Sequence, residues 1–173
     1  MNIRCDLHIN GGQRKLIVSS HHEETFDRLA LKLAAAVLFW EEEPVVDPSA
    51  KHPALLGQEF RPALMTLNPN GDVRVWIECG PVSLNKLDKL TRRFPHTRLV
   101  VYKATPDEGR RLRRDLTEKE VRRSIDIWAW PPAVFQQWRS AVDEKTEIYG
   151  ESNEQMLNLT INNVPLSTDL MAC

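Results

Sequence analysis

The alternation of apolar and polar residues predicts two strands at the start of the chain, over residues 3–9 and 14–18. The Asn-Gly-Gly sequence at 10–12 lies between them. These residue types accept the positive φ angles of a tight turn, so the pattern is typical of a β-hairpin.

A helix is predicted over about 23–40, where apolar residues recur every three or four positions. Ser20 and Glu23 have the spacing of a capping box at its start. Apolar residues nearly surround the helix, which indicates burial between two layers. Residues 41–61 then contain three prolines and are expected to form a long lid, binding loop or mobile insert.

A second hairpin is predicted over 64–80, with a turn at Asn-Pro-Asn-Gly, residues 68–71. Its second strand becomes continuously apolar and ends near Glu78. Burial of an ionised carboxylate is costly unless a cation or hydrogen-bond donor pairs with it. Glu78 is therefore a candidate functional residue.

Alternating helices and strands are predicted along the rest of the chain: helices over about 83–94, 105–116 and 133–142, strands over 99–102 and 125–130, and a closing hairpin from 146–150 and 155–161. This order favours an α/β fold with a mixed, partly antiparallel sheet. We expect one domain over 1–163, followed by a disordered tail over 164–173.

Composition narrows the class of protein. The chain has 173 residues, 42% of them apolar, and a formal net charge of −1, so there is no overall attraction to nucleic acid or an anionic membrane. The longest apolar run, 33–40, is too short to span a bilayer. Three widely spaced cysteines and the absence of a secretory signal favour a reduced, cytoplasmic protein without a disulfide framework or zinc knuckle.

Arginines are concentrated in the helix predicted over 105–116 and just after it. Arg110, Arg111 and Arg114 are candidate contacts to a nucleic-acid phosphate backbone. Five acidic residues are interspersed with these arginines, so a solvated, charge-balanced helix surface is the alternative interpretation.

Several short motifs resemble those of a known family. They are HHEET at 21–25, Pro-Ala at 62–63, and WIECG at 76–80 with Lys89 downstream. In this order and spacing they resemble the YaeQ family, small bacterial proteins whose fold belongs to the PD-(D/E)XK nuclease superfamily. The resemblance covers nearly all of 1–163.

The resemblance implies a restriction-endonuclease-like core, a mixed sheet flanked by helices, with added N-terminal and C-terminal hairpins. It also implies a site for Mg²⁺ or Mn²⁺. Residue by residue, Glu24 and Glu78 match the metal-binding acids. Lys89 or Lys86 would replace the motif lysine that orients the attacking water, and His21 would be a neighbour of the site.

Three positions depart from the superfamily pattern. Ala63 stands where an acid is expected after Pro62, and Arg74 stands where an aspartate is expected. Gly80 stands where the motif lysine would be, although the YaeQ family itself has glycine there. The site has therefore lost at least one metal ligand.

Two functions follow from these patterns. The first is a degenerate, metal-dependent phosphodiesterase acting on nucleic acid. The alternative is a non-catalytic module on the same fold that binds nucleic acid or a protein partner. The sequence leaves the substrate and the oligomeric state open.

Overall fold

The structure, a computed structural model, describes residues 1–173. In chain order its elements are β1 (Asn2–Ile9), β2 (Gly12–Ser19), α1 (Phe26–Leu38), β3 (Val45–Val46), β4 (Leu64–Leu67), β5 (Val73–Cys79), α2 (Leu84–Arg93), β6 (Arg98–Lys103), α3 (Pro106–Glu118), β7 (Asp126–Ala129), α4 (Val134–Ala141), β8 (Lys145–Ser152), β9 (Met156–Ile161), β10 (Val164–Asp169) and β11 (Met171–Ala172). The predicted succession of hairpins, helices and strands is confirmed.

The strands form two mixed sheets. The six-stranded sheet has the order β11-β7-β6-β5-β4-β3, in which β5, β6 and β7 are parallel and the other pairs are antiparallel. The five-stranded sheet has the order β10-β9-β8-β1-β2, and β1 pairs in parallel with β8. The terminal hairpins therefore combine into a sheet of their own.

Helix α1 lies between the two sheets. One core cluster contains the buried residues of α1 and α4 together with apolar residues from both sheets. A second cluster packs α2 and α3 against the opposite face of the six-stranded sheet. The burial of every residue of α1 from Leu29 onward confirms the prediction from its nearly all-round apolar surface.

Strand β5 divides its side chains between these two clusters. Ile77 and Cys79 pack on the α1 side, whereas Trp76 packs on the α2 and α3 side. Because successive side chains of a strand point to opposite faces, Glu78 lies on the same face as Trp76. This alternation decides which side chains Glu78 contacts.

The start of α1 differs from the prediction. The N-cap is Thr25, whose hydroxyl accepts a hydrogen bond from the Arg28 amide. Glu23 has a φ of +64°, outside the helical region, and the Ser20 hydroxyl accepts from the N-terminal amine. The capping box predicted from Ser20 and Glu23 is therefore wrong.

The last ten residues also differ from the prediction. They form β10 and β11, with Leu166 and Leu170 buried, so the prediction of a disordered tail is wrong. Pro165 fits into β10 because β10 is an edge strand, where a residue without an N–H group is tolerated. The proline-rich segment 41–61 contains β3 and a 3-10 turn at Pro53–Leu55, and another 3-10 turn, Trp40–Glu42, leads into it. Its role as a lid, binding loop or mobile insert stays a prediction. None of the helices has the length and apolarity needed to cross a membrane.

Candidate functional site

A buried lysine lies beside the start of α1. Lys32 is only 1% exposed, and its Nζ is 2.6 Å from Glu24 Oε1 and 2.7 Å from Asp47 Oδ1. The Arg28 Nε atom is 3.0 Å from the same Glu24 oxygen, and Glu24 Oε2 accepts a hydrogen bond from the His21 amide. Two carboxylates thus converge on one ammonium group.

These contacts keep Glu24 ionised. Burial opposes ionisation, but the hydrogen bonds from Lys32 and the His21 amide, together with the charge of Lys32, outweigh it and lower the pKa of Glu24. The exposed His21 ring lies nearby, with Nε2 3.6 Å from Asp47 Oδ1. Glu24 and His21 therefore belong to one cluster.

Asp47 brings an acid to a position where the resemblance expects one. Its amide donates to the carbonyl of Ala63 over 2.9 Å, so Asp47 lies directly beside the residue that follows Pro62. The segment after β3 thus places a carboxylate next to Ala63, where the resemblance implies an acid. Here, however, that carboxylate is already paired with Lys32.

Glu78 has different partners on the other face of the six-stranded sheet. It is 1% exposed, accepts a hydrogen bond of 2.8 Å from the Trp76 indole, and lies 2.6 Å from Lys86 Nζ. Lys86 also donates to the Arg61 carbonyl. Of the two candidate lysines, Lys86 contacts Glu78, whereas Lys89 lies 3.6 Å from the carboxylate of Glu59.

Glu24 and Glu78, the two predicted metal ligands, have no contact partner in common. Glu24 is neutralised by Lys32 and Arg28, and Glu78 by Lys86. No group of three or more His, Cys, Asp or Glu side chains is close enough together to hold a metal ion. With the lysines in place the donor set does not fit a divalent cation, and the Mg²⁺ or Mn²⁺ site stays a prediction.

A pocket of about 330 Å³ opens at the carboxyl ends of β5 and β6. In a parallel sheet this edge commonly receives ligands. Its charged lining residues come from α1, α3 and β6: Asp27, Arg28, Lys103, Glu108, Arg111 and Asp115. Apolar side chains, including Leu31, Leu84 and Leu112, form the rest of the lining.

Lys103 is the most buried cation in this pocket. It is 9% exposed, and its Nζ donates to the Gly80 carbonyl over 2.7 Å. No carboxylate lies within 4.0 Å of this ammonium group, and burial lowers the pKa of Lys103. Gly80 has a φ of +75°, which strains any residue with a Cβ. The position therefore favours glycine over any other residue.

The arginines of α3 and the following loop fall into two groups. Arg113 and Arg123 donate to backbone carbonyls, and Arg110 pairs with the acid three residues before it. Arg111 and Arg114 are exposed and have neither a carboxylate within 4.0 Å nor a hydrogen-bond partner. Two of the three predicted nucleic-acid contacts are thus free of partners.

Comparison with known proteins gives the family. The family model described as YaeQ protein matches residues 7–169. The chain belongs to the YaeQ family. Comparison with curated proteins finds no match.

Two crystal structures of YaeQ proteins share this fold. The protein from Pseudomonas syringae superposes with a TM-score of 0.76 at 17% identity, covering 99% of this chain and 94% of that one. The protein from Xanthomonas axonopodis pv. citri gives 0.73 at 16% identity, covering 99% and 96%. At these identities the likeness concerns the fold alone.

The sequence alone did not identify three charged residues of the sites described above: Lys32, Asp47 and Lys103. Lys32 is the one charged residue in an otherwise apolar stretch of helix, and Lys103 ends the apolar strand β6. Both carry the signal that singled out Glu78, a charge at a position predicted to be buried. Asp47 had no such signal, because it lies in a segment predicted to be a loop.

Proposed function

We propose that this YaeQ-family protein is a non-catalytic nucleic-acid-binding module. The observation that carries the proposal is the contrast between free and neutralised charges. Arg111 and Arg114 are exposed without partners on α3, whereas Glu24 and Glu78 are already paired with lysines. Exposed arginines contact phosphates readily, because each contact releases condensed counterions.

The proposal includes membership of the PD-(D/E)XK superfamily. Its support is the order of α1, the β4–β5 hairpin, α2 and β6, which agrees with the core implied by the resemblance. Within that fold, Lys32 between Glu24 and Asp47 supplies a positive charge where a nuclease of this type would need a metal. A fixed ammonium group compensates the acids but activates no water.

Metal-dependent phosphodiester hydrolysis is the competing function. One contact favours it, the 2.6 Å pair between Glu78 and Lys86, because a carboxylate beside a lysine is the combination that the nuclease motif requires. Against it, Glu78 and Glu24 have separate partners, and Glu78 lies on the face of β5 opposite to α1. Pairing with its lysine already compensates each acid.

The test is binding of fluorescent single- and double-stranded DNA and RNA by anisotropy, with EDTA or Mg²⁺, across a salt series. We expect binding that needs no divalent ion and weakens with salt. The double variant Arg111→Ala/Arg114→Ala should lower the slope of log K against log salt by roughly two for a duplex, one per lost phosphate contact.

The control removes the same charge elsewhere. Arg4 and Lys145 are exposed neighbours in the five-stranded sheet without carboxylate partners, so Arg4→Ala/Lys145→Ala matches the charge change. An equal fall in the slope of log K against log salt in both double variants, or no binding by the wild-type protein, would overturn the proposal. Cleavage that requires Mg²⁺ and disappears in Glu78→Gln would support the phosphodiesterase instead.

A further inference from the structure

The pocket at the carboxyl ends of β5 and β6, which we call the strand-end pocket, contains Lys103, a buried cation that no carboxylate contacts. An ammonium group has three donors, and Lys103 uses one of them, toward the Gly80 carbonyl. The other buried lysine of the protein, Lys32, contacts two carboxylates. Because buried charges are ordinarily paired, a ligand with negative charge would complete the environment of Lys103.

Two arginines line the same pocket. Arg111 has no carboxylate within 4.0 Å, whereas Arg28 shares Glu24 with Lys32. The pocket is also bordered by the N-terminal ends of α1 and α2, through Thr25 and Leu84. Helix N-termini carry partial positive charge and add to the attraction for an anion.

The acidic residues of the pocket restrict which chemical groups the rest of the ligand can have. Asp27 is paired with Arg139, which lies on α4. Glu108 and Asp115 have no basic partner within 4.0 Å, and both lie on α3. Their carboxylates accept hydrogen bonds, so hydroxyl or amino groups attached to the anion suit this wall.

We infer that the strand-end pocket binds a phosphate monoester, held by Lys103 and Arg111, whose hydroxyl-bearing remainder faces Glu108 and Asp115. The inference deepens the proposed function and rests on it where the phosphate is the terminal phosphate of a nucleic acid. A terminal monoester carries more charge than an internal diester, and a half-open pocket of about 330 Å³ receives an end more easily than a continuous backbone. A free small phosphate ester has the same chemistry.

The test compares oligonucleotides of one sequence with a 5′-phosphate, a 3′-phosphate or hydroxyl groups at both ends. Free phosphate esters are represented by a nucleoside monophosphate, measured by calorimetry. The wild-type protein should bind one of the phosphorylated ends about tenfold or more tightly than the hydroxyl form, as charge-assisted hydrogen bonds to a buried ammonium group predict. Lys103→Met, which keeps length and removes charge, should abolish that preference, and exposed Lys145→Met should retain it.

The outcomes separate this inference from the proposed function. If all three oligonucleotides bind equally to wild type and Lys103→Met, the protein binds nucleic acid but the pocket does not receive a phosphate. If no oligonucleotide binds, yet the monophosphate binds and Lys103→Met abolishes that binding, the pocket inference stands and the proposed function fails. Binding of the monophosphate that is unchanged in Lys103→Met overturns the inference. Thermal unfolding should show Lys103→Met folded, since it removes a buried charge that has no carboxylate partner.

Discussion

Three buried ionisable side chains differ in how their charges are compensated. Lys32 lies between two carboxylates, and Glu78 has one lysine and an indole donor. Lys103 donates to a carbonyl, and the charges of Glu108 and Glu78 act on it without direct contact. Breaking a buried ion pair exposes the remaining charge to a low dielectric, so the partners left behind decide the cost. Lys32 is the residue whose removal leaves the most uncompensated charge.

Replacing Lys32 by alanine should create a metal site. The change removes the ammonium group between Glu24 and Asp47 and leaves Arg28 as the one cation beside Glu24, and oxygen ligands in that arrangement suit Mn²⁺. We expect the free energy of unfolding to fall by about 3–5 kcal/mol without metal. Saturating Mn²⁺ should restore about 2–3 kcal/mol, measured as a shift in the unfolding midpoint. The wild-type midpoint should not respond to Mn²⁺.

Adding Glu24→Gln to Lys32→Ala removes a ligand and should eliminate the response to Mn²⁺. If Lys32→Ala is unfolded without metal, Mn²⁺-dependent folding is the expected result. A wild-type midpoint that rises with Mn²⁺, and no longer does so in Glu78→Gln, would contradict this account and return the metal to Glu78.

For individual residues, the sequence identifies buried charges but not the side chains that pair with them. Glu78 was found because an acid at the end of an apolar strand requires compensation, and Lys103 carries the same signal on β6. Asp47 and Lys86 come from other segments, so their contacts depend on how those segments pack. The sequence left open whether Lys86 or Lys89 lies beside Glu78. The packing of α2 decides it, since Lys86 contacts Glu78 and Lys89 lies beside Glu59.

Helix α1 shows how far an element is predictable. Its nearly all-round apolar surface predicted burial between layers, which the two sheets provide. Its start was assigned about three residues too early, because Ser20 and Glu23 have the spacing of a cap that the chain does not form. Thr25 offers the same side-chain chemistry and lies next to the first helical turn.

The position of the cap can be tested by substitution. Thr25→Ala removes the hydroxyl that accepts from the Arg28 amide and should lower the free energy of unfolding by about 1 kcal/mol. Ser20→Ala should change it by only a few tenths, since that hydroxyl contacts just the exposed N-terminal amine. Urea denaturation of both variants measures the difference, and a larger loss from Ser20→Ala would restore the capping box.

The whole molecule contains two sheets where the sequence predicted one mixed sheet with added hairpins. Each hairpin was predicted from local alternation and turn residues, and each is present. Their union across the parallel pair β1–β8 depends on contacts between opposite ends of the chain. Local patterns carry no information on such pairing, so the second sheet could not be predicted.

A chain ending at Asn163 should be clearly destabilised. The truncation removes β10 and β11 with Leu166 and Leu170, and loss of each buried leucine side chain costs about 2–4 kcal/mol. A lower urea midpoint is therefore expected. Val164→Ala is the control, because Val164 is exposed and its truncation should have little effect. An unchanged midpoint for the shortened chain would mean that the tail contributes no packing.

The parallel pair of β1 and β8 has a consequence for biosynthesis. The first hairpin leaves the ribosome early, but its sheet partner β8 is translated near the end. Until then, one long edge of β1 lacks its backbone partners, and exposed strand edges of this kind promote aggregation. Chains released before β8 is complete should therefore aggregate more readily than the full-length chain.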